Sequence, residues 1–260
     1  MDRKDGAMAL SRKPHVLVVG GSDSSGGAGI GRDIGTISAL GVRTCIAVTA
    51  VTVQTHEAVL ESHHLPPGLV ADQMRAALQA NKVAAIKIGM LATEQIIAAV
   101  AAVLRENRQI PAVLDPVLAS SSGGPLLEAD AIGTLTRDLM PLCRLVTPNL
   151  VELAVLAGSR PAVDDCEMLR QGQRLLDAGS QALLIKGGHA TGPRSTDILV
   201  RPRQQPIRFD ASRLAGSMRG TGCMLASAIA AHLANGTSLE DTVRKGKLFV
   251  FESFQKIEAA

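Results

Sequence analysis

The sequence has no tryptophan and no tyrosine, and only four phenylalanines among its 260 residues. Aromatic platforms for stacking nucleic-acid bases are therefore missing. Lys and Arg number 27 against 24 Asp and Glu, a formal net charge of +3 at pH 7. The two signs are interspersed, which speaks against a nucleic-acid partner. Four cysteines, Cys45, Cys143, Cys166 and Cys223, lie far apart with no CxxC pair. That spacing argues against a local zinc knuckle, though not against a site assembled in space, and a reduced cytoplasmic chain is the simplest reading. No run approaches the roughly 18 apolar residues of a membrane helix. The longest, Ile96 to Leu104, is Ala-rich and ends in Arg105-Glu106, as a helix in water does. Residues 1–13 carry basic residues without an apolar segment, and they read as a flexible leader rather than a secretory signal.

What is present is alternation. Short apolar runs recur at His15–Val19, Cys45–Val48, Ala84–Ile88, Ala112–Leu114, Leu145–Thr147 and Ala182–Ile185. Such runs suit strands buried on both faces of a parallel sheet. Helical stretches lie between them, at Arg32–Leu40, Leu69–Asn81, Thr93–Glu106, Ala129–Met140, Leu150–Ala157 and Cys166–Ala178. The pattern predicts right-handed crossovers and an α/β layered sheet. Asp197–Val200 and Ile207–Phe209 then suggest two antiparallel edge strands, followed by helices at Gly222–Asn235 and Ser238–Glu258. No repeat or linker divides the chain, so residues 14–260 are expected to form a single domain.

In open α/β sheets, ligands collect where strands end and helices begin. Most of the polar residues of interest fall at such junctions. Gly220-Thr-Gly-Cys223 opens an apolar helix. Its glycines permit close backbone approach, and its free N–H groups with the helix dipole form an anion seat suited to phosphate. Cys223 sits in that first turn, where positive potential favours the thiolate. The bland alternative is a glycine turn that only allows close packing. Gly21–Gly29 is glycine-rich but lacks the Gly-Lys-Ser/Thr ending of a P-loop and does not fit G-x-G-x-x-G. Within it, Asp23 is either a ligand contact or a turn cap. In Thr147-Pro-Asn-Leu-Val-Glu152, Asn149 and Glu152 could hold hydrated magnesium, or could form an ordinary capping pair. Lys186, before Gly187, Gly188 and His189, could neutralise transferring phosphate oxygens, or could be a solvated strand end. His189 reads as a turn residue. Gln54 offers a donor and an acceptor side by side, which matches an aminopyrimidine edge.

Taken together, these segments resemble the hydroxymethylpyrimidine/phosphomethylpyrimidine kinase family of thiamine biosynthesis, within the ribokinase-like superfamily. The resemblance is carried by Gly21–Ile30, Ser38-Ala-Leu-Gly41, Lys87-Ile-Gly-Met-Leu91 and Leu114-Asp-Pro-Val117. Thr147-Pro-Asn149 with Glu152, Lys186-Gly-Gly-His189 and Gly220-Thr-Gly-Cys223 follow in the family order. It implies a ribokinase-like, Rossmann-type three-layer sandwich with a mostly parallel sheet. It also implies ATP, Mg2+ and phosphorylation of 4-amino-5-hydroxymethyl-2-methylpyrimidine, then of its monophosphate, in a cytoplasmic homodimer. Asp23, Gln54, Met90 and Val117 match substrate positions, and Asn149 and Glu152 the magnesium–phosphate region. Lys186, Thr221 and Gly222 match the nucleotide-phosphate site. Cys223, with Lys186, Gly220 and Gly222, matches the catalytic position, where sugar kinases of the superfamily carry an aspartate base. The chain departs from the family pattern at Arg219, usually His, and at Gly31-Arg32-Asp33, usually Gln-Ala-Asp. It also ends without the family's glycine-rich tail. A pyridoxal kinase on the same scaffold and a non-catalytic pyrimidine-binding regulator are the alternative readings.

Overall fold

The computed structural model describes residues 13–120, 123–187, 194–212 and 218–258. The expected leader, except Lys13, lies outside the described residues, as do His189 and Ser217.

The chain begins with β1 (His15–Asp23), α1 (Gly29–Ala39), β2 (Arg43–Gln54), β3 (Val59–His64), α2 (Pro67–Ala80) and β4 (Val83–Ile88). It continues through α3 (Glu94–Glu106), β5 (Ala112–Leu114), α4 (Ala131–Thr134), β6 (Leu145–Val146), α5 (Leu150–Leu156) and α6 (Asp165–Asp177). The last elements are β7 (Leu183–Ile185), β8 (Arg194–Val200), β9 (Ile207–Ser212), α7 (Thr221–Ala234) and α8 (Leu239–Glu258). The strands form one sheet in the order β3-β2-β1-β4-β5-β6-β7-β8-β9. The pairs from β2 to β7 are parallel. Antiparallel β3 closes one edge, and β8 with β9 closes the other.

Strand periodicity builds the layers. Val16 and Val18 of β1 pack with α1, α7 and α8, through Ile37, Ile229 and Val243. Leu17 and Val19 face the opposite way and pack with α2, α3 and α6, through Met74, Ile97 and Leu175. A strand fully buried on both faces reads as a continuous apolar run, which is why β1 is legible in sequence.

Two expectations change. β3 is not visible as an apolar run, because its residues after Val59 are exposed and it pairs only at the sheet edge. The helix expected over Ala129–Met140 is broken into α4, a π turn at Leu135–Leu139 and a 3-10 turn at Met140–Leu142. Pro141 lacks the N–H that would continue an α-helix.

From β1 the chain moves to β2 on one side and later to β4 on the other, so a topological switch point lies between β1 and β4. There the alternation of β4 turns Lys87 toward α1 and α7. Its Nζ lies 2.8 Å from Asp33 Oδ2, and both side chains are 1% exposed. Ser227 Oγ of α7 donates to Asp33 Oδ1 at 2.8 Å. Burial alone would lower the Lys87 ammonium's pKa, but Asp33, together with Cys223 and Asp115, more than offsets it, and Lys87 is held above the usual lysine range.

Lys87→Met would leave the Asp33 carboxylate buried without its cation, and a loss of about 3–5 kcal/mol is expected. Adding Asp33→Leu removes both charges and should recover most of that loss. Urea unfolding of the two variants checks the pairing; a double variant no more stable than Lys87→Met would contradict it.

Candidate active site

A cleft of about 1220 Å³ opens at the carboxyl ends of the parallel strands. The sequence-derived candidates all line it: Asp23, Gln54, Met90, Val117, Asn149, Glu152, Lys186, Gly220, Thr221, Gly222 and Cys223. So do Asp33, Lys87, Asp115 and Arg219, to which sequence reasoning gave no role.

At one wall α7 begins. Gly220 has φ +72°, and a Cβ there would lie 2.5 Å from Gly27 O, so only glycine lets the β1–α1 loop sit against the helix start. The first helical bond runs from Met224 N to Gly220 O at 2.9 Å. The N–H groups of Thr221, Gly222 and Cys223 therefore have no helical acceptor, which makes the helix start an anion seat. A Cβ on Gly222 would lie 3.1 Å from Lys186 Nζ, so this glycine brings the seat close to that ammonium.

The thiolate expected at Cys223 is corrected by its surroundings. Burial, with Asp33 and Asp115 adding to it, pushes the thiol up to about 12 against the charge of Lys87 and a backbone hydrogen bond from Gly29. Desolvation outweighs the charge of Lys87, so the resting group is a protonated thiol.

Opposite the seat, Lys186 Nζ lies 2.8 Å from Asp115 Oδ1 and 3.7 Å from Glu152 Oε2. Burial alone would lower the pKa of Lys186, but these two carboxylates hold it above the usual lysine range. Burial, helped by Asp115 and opposed by Lys186, lifts the Glu152 carboxyl above the usual range. Burial alone would lift Asp115 too, but Lys186 and Lys87 hold it below.

Asn149 takes the capping role rather than that of a free ligand. Its Oδ1 accepts from Glu152 N at 2.8 Å, while Glu152 Oε2 accepts from Asn149 N at 2.7 Å. Among the described residues, Asp115 Oδ2 and Glu152 Oε1 accept no hydrogen bond. No three His, Cys, Asp or Glu side chains among the described residues form a metal cage.

At the other end, Asp23 Oδ1 accepts from Ser25 N at 2.8 Å and from Ser25 Oγ at 2.6 Å, so Asp23 shapes its own turn as well as lining the cleft. Gln54 Oε1 accepts from Thr52 Oγ1 at 3.2 Å, and its Nε2 has no partner among the described residues. Met90 packs under the β1 end; a Cβ on Gly21 would lie 2.9 Å from Met90 Sδ.

The missed residues left readable signals. Lys87 is a charge inside the apolar run Ala84–Ile88, and Asp33 lies on the helix face that also carries buried Ile30 and Ile37. Asp115 is the first residue after β5, where a ligand-facing group is expected. Neither departure residue was assigned a contact, but Arg219 Nη1 packs 3.2 Å from where a Gly27 Cβ would be, and Arg32 donates to Gly27 O.

Comparison with known proteins points the same way as the site. The phosphomethylpyrimidine kinase family model matches residues 23–259. A hydroxymethylpyrimidine/phosphomethylpyrimidine kinase of Mycobacterium tuberculosis (strain H37Rv) is 44% identical over 242 residues, 92% of this chain and 87% of that protein. The crystal structure of a phosphomethylpyrimidine kinase from Clostridium difficile 630 is similar at TM-score 0.80 and 32% identity, covering 93% of this chain and all of that one. The Staphylococcus aureus pyridoxal kinase in complex with AMP-PCP reaches TM-score 0.83 at 31% identity, covering 92% and 87% of the two chains. The sheet and flanking helices are those of this ribokinase-like group. With sequence likeness running almost end to end and the quoted motifs gathered at one cleft, this chain belongs to the hydroxymethylpyrimidine/phosphomethylpyrimidine kinase family.

Proposed function

We propose that residues 14–260 act as one kinase domain that phosphorylates 4-amino-5-hydroxymethyl-2-methylpyrimidine and then its monophosphate, using ATP and Mg2+. The observation that carries this reading is the convergence of an anion seat, the Lys186–Asp115–Glu152 cluster and the Gln54 amide in one cleft. Phosphoryl transfer depends mainly on positioning and on stabilising charge, and these groups supply both.

The N–H groups at the start of α7 would hold phosphate oxygens where charge develops, and Lys186 would neutralise the transferring group. Glu152 and Asp115 fit magnesium, a hard cation that keeps several waters and takes only one or two carboxylates beside substrate phosphates. Bound there, the ion supplies charge neutralisation to the phosphates. Gln54, with its donor free, would pair with the amine and ring nitrogen of the aminopyrimidine, while Met90 and Val117 line the ring pocket with Asp23 at its rim. Cys223 would take the proton of the acceptor hydroxyl, and only its ionised fraction can do so.

The pyridoxal kinase reading is favoured by the S. aureus likeness at TM-score 0.83. The Nε2 of Gln54, without a partner among the described residues, speaks for the aminopyrimidine. We also propose a homodimer in the reducing cytoplasm. Val51, Val53 and Leu60 are exposed on the β2–β3 hairpin, the four cysteines are free, and no described helix is long and apolar enough to cross a membrane.

A mass spectrum of products from the aminopyrimidine alcohol, ATP and Mg2+ tests the function. Mono- and diphosphate are expected. Preference for pyridoxal would favour the second reading, and tight binding with no ADP formed would mark a regulator. For Cys223, the alcohol has a proton to lose and the ionised monophosphate does not. Cys223→Ala should therefore slow the alcohol step by about 10²–10⁴-fold and the monophosphate step far less. With the thiol pushed up to about 12 by burial, its ionised fraction grows with each pH unit below that value. The alcohol step, and alkylation of Cys223 followed by peptide mapping, should both accelerate as pH rises through neutrality. A flat pH profile for both would remove Cys223 as the proton acceptor.

A further inference from the structure

Four lysine and arginine side chains line the cleft among the described residues: Lys87, Lys186, Lys247 and Arg219. Three have a carboxylate at close range. Lys87 lies 2.8 Å from Asp33, Lys186 lies 2.8 Å from Asp115, and Lys247 lies 2.6 Å from Asp197. Arg219 is different. The nearest carboxylate to it is Asp23, 3.5 Å from Nη2, and that carboxylate already accepts two short bonds from Ser25. Arg219 Nη1 donates to Ser25 Oγ at 3.1 Å and to Thr55 O at 3.0 Å, and lies 3.4 Å from His56 Nδ1. Its Nε is buried and has no partner among the described residues.

Nε and Nη2 form one edge of the guanidinium, the edge that matches two oxygens of a phosphate. A buried donor without a partner calls for an explanation, and an absent anion is one. Arg219 also directly precedes Gly220, so this under-occupied edge belongs to the residue next to the N–H groups of α7 that lack a helical acceptor. The two acceptors proposed above differ at this corner in charge. The alcohol is neutral, whereas a phosphomonoester carries about −1.5 to −2 at neutral pH. A cation held only loosely by its present carboxylate, as Arg219 is by Asp23, can favour the second.

We propose that Arg219 is a specificity-determining residue that favours the phosphomonoester acceptor over the alcohol by turning its Nε–Nη2 edge from Asp23 to the acceptor phosphate. The inference rests on the kinase reading. The β1–α1 loop has anchors independent of Arg219. Arg32 Nε and Nη2 each donate to Gly27 O at 3.3 Å, and Ser24 Oγ bonds the backbone of Gln54 at 2.8 Å. Loss of the guanidinium therefore leaves the loop tied at both ends.

The test is steady-state kinetics of wild type, Arg219→Gln and Arg219→Lys with ATP and each acceptor in turn, beside thermal melts. Arg219→Gln should lose roughly 10- to 100-fold more kcat/KM on the monophosphate than on the alcohol, the scale of one charge-assisted contact. The loss should fall mainly on the KM of the monophosphate, and Arg219→Lys should recover part of it. Equal losses on both acceptors would overturn the proposal and leave Arg219 as a loop anchor. A raised KM for ATP with either acceptor would overturn it in favour of a nucleotide contact. Wild type inactive on both acceptors would instead remove the kinase reading itself, whereas activity on the alcohol alone would remove only this inference.

Discussion

The buried ion pair between Lys87 and Asp33 is the constraint on which the arrangement of the cleft depends. Taking two charges out of water costs several kcal/mol per ion, and only close geometry with further hydrogen bonds offsets it. Here the geometry is close, and Ser227 supplies the further bond. Ser227 lies one helical turn beyond Cys223, so the same node fixes the helix whose start forms the anion seat. It also dictates the strand end above it. A Cβ on Gly89 would lie 2.9 Å from Lys87 Nζ, so the chain leaves β4 through a residue without a side chain. Sheet centre, first helix and anion seat are thus held by one set of polar contacts.

Around that node the cleft is organised as charges held in fixed positions rather than as a net positive surface. Lys186 is shared by two carboxylates of opposite tendency, one held ionised and one lifted by burial. Dipoles and charges fixed before reaction need no reorganisation as transfer proceeds, which is where most of their catalytic effect arises. Burial in this water-poor site, with Asp33 and Asp115 adding to it against the charge of Lys87, is what keeps Cys223 protonated at rest. A helix terminus lowers a thiol pKa only when the rest of the surroundings does not oppose it.

The central strands and the helices after them were legible because burial on both faces leaves an unbroken apolar run and helices leave a 3.6-residue stripe. β3 left neither, since pairing at an exposed edge imposes no apolar pattern. The site was legible as a set of junctions. Gly220 and Gly222 were found because close backbone approach demands their residue type. Lys87 and Asp33 were named only within separate motif segments, and their pairing spans 54 residues that no local pattern reports. Asn149 was ambiguous for a different reason. A capping pair and a pair of oxygen ligands share one spacing, and only the observed bonds separate them.

The Lys87–Asp33–Ser227 contact also sets an order on assembly. Asp33 and Ser227 are separated by 194 residues, so the third member of the node leaves the ribosome long after the first. Until α7 emerges, the face of β4 against which it packs lacks its cover, and the Asp33 carboxylate lacks its hydroxyl donor. Contacts closing so long a loop come at a large entropic cost and slow the final step. During synthesis, the strands at the middle of the finished sheet are therefore complete in sequence long before they are complete in packing, and the anion seat comes into being in the same event that seals them.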